Sequence, residues 1–181
     1  GGSICLLLLF ALSFILPPVP ADHVGSGAAD SLFLGQDLRG VEYLEEPIFP
    51  RDSLTGLDSW RLRRKNYVIS FNTVRGLANW EAYELLPSEL EKRVGRRAGF
   101  IDDRETQPFS LSHSDYRGSG YCRGHLAPAA DMRFSAEAQD EASLMSNIAP
   151  QTEQLNNGAW NTLENRIRGW ANRYGAIYVV T

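Results

Sequence analysis

Residues 121–131 read Tyr121-Cys122-Arg123-Gly124-His125-Leu126-Ala127-Pro128-Ala129-Ala130-Asp131. The Arg-Gly-His core places a fixed positive charge, a permissive backbone position and a base that titrates near neutral pH side by side. Upstream, Asp115-Tyr116-Arg117-Gly118-Ser119-Gly120 is a turn-rich entry, so Tyr121-Cys122 reads as a short extended segment that delivers His125. Downstream come Ser146-Asn147-Ile148, then Leu155-Asn156-Asn157-Gly158-Ala159-Trp160, and finally Glu164. The stretch alone is weak; its meaning comes from these polar residues arriving in order behind it.

Around that centre the chain reads as mixed α+β. Tyr67-Val68-Ile69-Ser70-Phe71 is a β-branched and aromatic run bounded by asparagines, which predicts a buried strand. Trp80 to Leu86 is a second strand candidate, joined to the first by a hairpin whose turn holds Arg75-Gly76. Pro87 to Ser114 is weakly patterned, with a short helix opening at Ser88, and no chemistry is assigned to it; His113 reads as a solvated loop residue. Ser135 is a good N-cap for a helix over 136–145. Trp160, Leu163, Ile167, Trp170 and Tyr174 recur at spacings of 3, 4, 3 and 4, marking one face of a second helix. Ala176 to Thr181 reads as a strand.

The 181 residues, 43% of them hydrophobic, suffice for one ordinary domain, expected over 57–181. Eighteen basic against 22 acidic residues leave a charge of −4, which excludes a generally basic protein that coats nucleic acid. Two local basic patches, Arg61-Arg63-Arg64-Lys65 and Lys92-Arg93-Arg96-Arg97, read as solvated charged faces. Ile4 to Leu16 is apolar but for Ser13 and is followed by prolines; at 13 residues it is short of the ~20 a spanning helix needs. Residues 1–21 therefore read as a cleaved signal peptide or targeting segment, and 22–56 as a linker or arm. No stable membrane span is expected once the leader is removed. Cleavage near Ala21 gives a secreted or periplasmic product, with the mitochondrial intermembrane space as the alternative. The chain opens on Gly1 without a basic segment and stops inside a strand, so it reads as a piece of a longer protein. Cys5 lies in the leader, which leaves Cys122 without an intrachain disulfide partner.

Histidine near its ordinary pKa is the natural base at neutral pH. A Mg²⁺ ion takes oxygen ligands and keeps several waters, so an asparagine carbonyl at the start of the last helix is a sufficient protein ligand, with Glu164 orienting metal-bound water. One base, one divalent ion and arginines meet the requirements of phosphodiester hydrolysis.

From about Gly56 to Thr181 the sequence resembles the DNA/RNA non-specific endonucleases of the ββα-metal (His-Me finger) fold, most closely their endonuclease G branch. The resemblance rests on Asp115 to Gly120, on Arg123-Gly124-His125, and on Leu144 to Gln151, which follows a Leu-Ser-Asn-x-x-Pro-Gln pattern with Met145 inserted. It rests as well on Leu155-Asn156-x-x-Ala159-Trp160-x-x-Leu163-Glu164. It implies an antiparallel sheet core flanked by helices, C-terminally incomplete here, and cleavage of DNA and RNA through phosphate contacts that leaves 5′-phosphate and 3′-hydroxyl ends. His125 matches the general base, Asn147 a residue supporting it and the substrate, and Arg75, more loosely, an arginine that meets transition-state charge. Asn156 matches the direct metal ligand, Glu164 the residue that binds metal waters, and Arg123 and Arg168 cations near the scissile phosphate. The cofactor implied is Mg²⁺, with Mn²⁺ as a substitute, and the assembly implied is a homodimer. The departure is Cys122, where the family carries aspartate: either a carboxylate that tunes the site is lost, or a small apolar strand residue stands in for a structural one. The competing reading is an inactive relative that binds nucleic acid without cutting it; a nuclease-like toxin module is a third.

Overall fold

The computed structural model describes residues 8–9 and 59–181; apart from Leu8–Leu9, the leader and the arm lie outside the described residues. In chain order the elements are β1 (Leu8–Leu9), β2 (Ser59–Arg63), β3 (Val68–Asn72), β4 (Leu77–Leu85), β5 (Cys122–His125), α1 (Ala136–Ala142), β6 (Ile148–Gln151), α2 (Asn161–Tyr174) and β7 (Ile177–Val180). They form a five-stranded sheet in the order β1-β7-β4-β3-β2 and a separate two-stranded sheet, β5-β6. All neighbours pair antiparallel except β1, which runs parallel to β7.

The predicted hairpin is present. All five residues of β3 are buried, as a β-branched run in the middle of a sheet should be. Gly76, at φ +68°, closes the turn to β4, and a Cβ there would meet the Phe109 carbonyl at 2.5 Å, so the turn needs glycine for both conformation and space. β2 was not foreseen, because its arginines read as a patch. In the structure it pairs along its whole length with β3, while Arg64 behind it is held by Asp103 (2.6 Å) and Glu105.

The main core lies between one face of the large sheet and both helices. Ile69, Tyr83, Leu85, Ile177 and Val179 meet Ala138 and Ala142 of α1 and Ile167 and Ala171 of α2. Burying a side chain such as Ile167 is worth roughly 2 kcal/mol. The predicted face of α2 is the one that packs, but its last contact is Ala171, fully buried, and Tyr174 is exposed. Gly175, at φ +95°, ends the helix and turns the chain into β7.

Ser135 caps α1 by accepting from the Ala138 N–H (3.0 Å), as expected. The helix nevertheless stops at Ala142 instead of running on to 145. Ile101 takes its backbone groups, donating to the Ser143 carbonyl (2.9 Å) and accepting from Met145 N–H (2.8 Å). β6 was also missed, since Pro150 argues against a central strand; in a two-stranded sheet its missing N–H costs no second ladder. The result that matters for the site is the paired strands β5 and β6, with α1 on the connection between them, followed by the helix that leads into α2.

Candidate active site

His125 ends β5, opposite Ile148 of β6. Its backbone is held from three sides. Gly124 lies against the Gln151 side chain so closely that a Cβ would sit 2.2 Å from Cδ. The indole N–H of Trp160 donates to the His125 carbonyl (3.2 Å). The loop that follows is clamped by Asn147, which is fully buried: its Oδ1 accepts from Ala127 N–H (2.9 Å), and its Nδ2 donates to the carbonyls of Ala127 (3.0 Å) and Ala142 (2.7 Å). Asn147 thus spends its amide on backbone, and its support of the histidine is positional. Burial, reinforced by the charge of Arg96, pushes the His125 imidazolium down to about 4, so the ring is neutral at pH 7 and has an open lone pair. As a base it is weaker than the histidine of ordinary pKa that the sequence led us to expect.

One face of His125 meets Phe100, with ring centroids 5.5 Å apart. The same Phe100 carries the Arg123 guanidinium 5.0 Å above its centroid, and Arg123 Nη1 lies 3.3 Å from His113 Nδ1. In the sequence Arg96 reads as part of a solvated charged run and His113 as a solvated loop residue, while Phe100 gives no signal because its segment has no periodicity; His113 is indeed exposed. Lys92-Arg93-Arg96-Arg97 is in fact split: Arg93 and Arg97 pair with Glu91 and Asp140, while Arg96 acts electrostatically on His125 and Glu164.

The helix carrying Asn156 begins before α2, and residues 155–160 form a π-helical turn that runs straight into it. That turn has a geometric consequence. Asn156 and Glu164 are eight residues apart, about 0.8 residue more than two α turns, which would leave them roughly 80° apart around a regular α-helix. A π turn takes in close to one extra residue, so it absorbs the surplus and brings both onto one face.

Glu164 is raised to about 7, chiefly by burial and then by the nearby Asp131 charge, against the opposing pull of Arg168, Arg96 and a Trp160 hydrogen bond. Asp131, the last residue of the central stretch, is fully buried; its carboxylate accepts from Arg168 Nη1 (2.6 Å) and from the Tyr83 hydroxyl (3.1 Å). Arg168 also donates to Asn165 Oδ1 (3.0 Å) and stands 4.0 Å from Glu164. Arg168, expected beside the scissile phosphate, is thus paired with a buried aspartate and stands next to Glu164. Sequence reasoning gave Asp131 no role, although it closes the quoted stretch.

Among the described residues no three His, Cys, Asp or Glu side chains come together as a metal-holding group. A hard cation that keeps most of its waters needs no such group. Asn156 and Glu164 supply oxygen donors from one helix face, and a carboxyl raised by burial beside a second carboxylate is one that a cation would help to ionise. These donors fit Mg²⁺. Arg75 is exposed in the β3–β4 turn, its backbone N–H bound by Asn72 Oδ1 (3.0 Å), and no hydrogen bond or ion pair among the described residues joins its guanidinium to this cluster. Cys122 is a free, half-buried thiol opposite Gln151.

A family model described as DNA/RNA non-specific endonuclease matches residues 45–181. The chain is 38% identical over 120 residues to human "Endonuclease G, mitochondrial", covering 65% of this chain and 40% of that protein. The bovine protein of the same name is 33% identical over 168 residues, covering 92% and 50%. A Nostoc "Nuclease" is 35% identical over 126 residues, covering 68% and 45%. Among solved structures, a chain of the EndoG/EndoGI complex superposes with a TM-score of 0.63 at 34% identity, covering 66% of this chain and 51% of that one. The chain thus spans half the length or less of these curated relatives.

Proposed function

The chain belongs to the DNA/RNA non-specific endonuclease family, and on that premise we propose that it is a metal-dependent, sugar-non-specific endonuclease acting on DNA and RNA. Its fold is the mixed α+β, ββα-metal arrangement of that family. The observation that carries the reading is the tie between base and helix: Trp160 binds the His125 carbonyl from the helix that presents Asn156 and Glu164.

In this mechanism the neutral His125 ring accepts a proton from the attacking water as the water oxygen bonds to phosphorus. The bond from phosphorus to the 3′ oxygen breaks, leaving a 5′-phosphate and, after protonation by solvent, a 3′-hydroxyl. Asn156 and Glu164 would hold a Mg²⁺ or Mn²⁺ ion, which when bound supplies positive charge to the phosphate and the departing oxygen. Arg123 takes a phosphate oxygen beside the histidine, and Arg75 offers an exposed cation on the hairpin. Arg168 acts through Glu164. Phosphate contacts do not distinguish sugars, which accounts for both substrates.

The names of the two endonuclease G relatives support a mitochondrial location in preference to secretion. No described helix is long and apolar enough to cross a membrane. Homodimer formation is part of the proposal, and light scattering on the purified protein tests it.

Plasmid nicking with Mg²⁺ or Mn²⁺, an EDTA control and a His125→Ala variant tests the chemistry. The expected loss on removing the base is about 10²- to 10⁴-fold. If wild type and variant bind DNA but are equally inert, the protein is a binding relative and not a nuclease.

A further inference from the structure

We propose that His113 is a positioning residue for Arg123: its imidazole accepts a hydrogen bond from the guanidinium, fixing it over Phe100 so that its remaining donors are kept for a nucleic-acid phosphate. The inference rests on the nucleic-acid reading above and names a residue that reading does not use.

Arg123 Nη1 lies 3.3 Å from Nδ1 and 3.4 Å from Nε2 of His113. A neutral imidazole has one acceptor nitrogen in either tautomer, so an acceptor is in reach whichever form is present. The guanidinium has no acidic partner among the described residues, and its Nε is buried without a hydrogen bond. A cation so placed is held by its aromatic plate and by His113 instead of being neutralised, in contrast to Arg168 on Asp131.

The support for His113 is itself rigid. The residue opens a short 3₁₀ turn (His113–Tyr116) in which the Asp115 carboxylate accepts from the Ser112 N–H (2.7 Å) and hydroxyl (2.8 Å). At the end of the turn, buried Tyr116 donates to the Ile148 carbonyl of β6 (3.3 Å). Ile148 faces His125 across the two-stranded sheet. Phe100 packs against the cluster of Tyr116, Met145 and Ile148, and its ring is 6.2 Å from that of His113 and 5.5 Å from that of His125. One aromatic plate therefore sets the spacing between the base and the arginine, and His113 sets the arginine's rotation on that plate. A bidentate donor loses affinity when its fork is free to turn, because the orientation must then be recovered on binding.

The test is a double-mutant cycle on affinity for a fluorescein-labelled single-stranded DNA oligonucleotide. Anisotropy is measured in EDTA at low ionic strength, so that weak variants stay in range and no cleavage occurs. His113→Ala should weaken binding roughly fivefold to tenfold. His113→Asn, whose carbonyl can still accept, should recover most of that loss. In an Arg123→Ala background, His113→Ala should add less than about twofold. With Mg²⁺ present, His113→Ala should raise KM and leave kcat within about twofold. His113 is exposed, so melting temperatures should agree within about 2 °C. The inference is overturned by an alanine variant of wild-type affinity, by an asparagine variant as weak as alanine, or by the full loss recurring without Arg123. A wild type that binds but does not cut overturns the catalytic reading alone; one that does not bind overturns both.

Discussion

Gly124→Ala asks why the Arg-Gly-His triplet carries glycine at its centre. The position is not left-handed, so alanine meets no backbone strain, and its lower unfolded-state entropy favours it by roughly 0.5–1 kcal/mol. Space opposes it. The new Cβ would lie 2.2 Å from Cδ, 2.4 Å from Oε1 and 2.5 Å from Cγ of Gln151, over 1 Å inside an ordinary contact of about 3.5–4.0 Å. Gln151 is 1% exposed, so swinging it aside displaces other buried atoms. It has no hydrogen bonds to lose in moving, since neither end of its amide is partnered. Overpacking costs about 1–3 kcal/mol, and three buried atoms this close put Gly124→Ala in the upper part, about 2–3 kcal/mol. The steric effect therefore wins by about 1–2.5 kcal/mol, a fall in Tm of roughly 2–10 °C for a chain of this size. Activity should fall further, about a hundredfold, because the displaced strand carries the base. Urea unfolding at constant slope measures the first and plasmid nicking the second. Adding Gln151→Ala makes room for the methyl group and should restore at least about 1 kcal/mol relative to the sum of the single changes. A Gly124→Ala protein of wild-type stability, or a strictly additive double variant, would refute the steric account.

Three further outcomes follow from the charges. Glu164 is raised from its ordinary 4.5 to about 7, so the folded state holds its proton more tightly than the unfolded one. That stabilisation is complete below about pH 4.5 and lost as pH rises through 7, worth roughly 3 kcal/mol in all. In EDTA, the stability of wild type relative to Glu164→Gln should decline by that amount between pH 4.5 and 8; a flat difference in chemical denaturation would contradict the raised carboxyl. Asp131→Asn strips Arg168 of its buried counter-charge and should cost about 2–3 kcal/mol by the same assay, whereas a surface pair would cost under about 1. Cys122→Ser should leave nicking within about threefold, because among the described residues no histidine or acid is hydrogen-bonded to the thiol as a nucleophile requires; a hundredfold loss would place the sulfur in the reaction.

What could be read from the sequence was whatever is local. The buried run at Val68 to Phe71, the Ser135 cap and the apolar stripe on α2 each follow from a few neighbouring residues, and each is present. Two kinds of feature were not legible. The first is any element whose partner is distant: β2 is a strand because β3 offers it a ladder, and α1 ends early because Ile101, some forty residues away, takes its backbone groups. The second is the use a polar side chain is put to. Asn147, Asn156 and Arg168 were all singled out, yet the sequence could not say that Asn147 binds only backbone or that Arg168 answers to Asp131. His113 read as a solvated loop residue and Phe100 gave no signal, since a lone histidine and a lone phenylalanine in an aperiodic segment acquire meaning only when folding sets them beside Arg123.

The same division explains how the site is built. The groups proposed to do chemistry have few partners: Arg123 keeps an unpartnered Nε, and burial leaves His125 neutral and Glu164 easily protonated. Each is costly to the folded state in that condition. Their neighbours are the opposite, since Asn147 is fully hydrogen-bonded, Trp160 is packed and tied to the His125 carbonyl, and Asp131 is closed by Tyr83 and Arg168. A bound phosphate would engage the terminal nitrogens of Arg123, and a cation would favour the ionised form of Glu164. Residues of the second set cannot reach a ligand without breaking bonds they already make. On this argument substrate and metal should stabilise the protein more than their contact area alone would give, and substitutions in the second set should cost stability first and activity as a consequence.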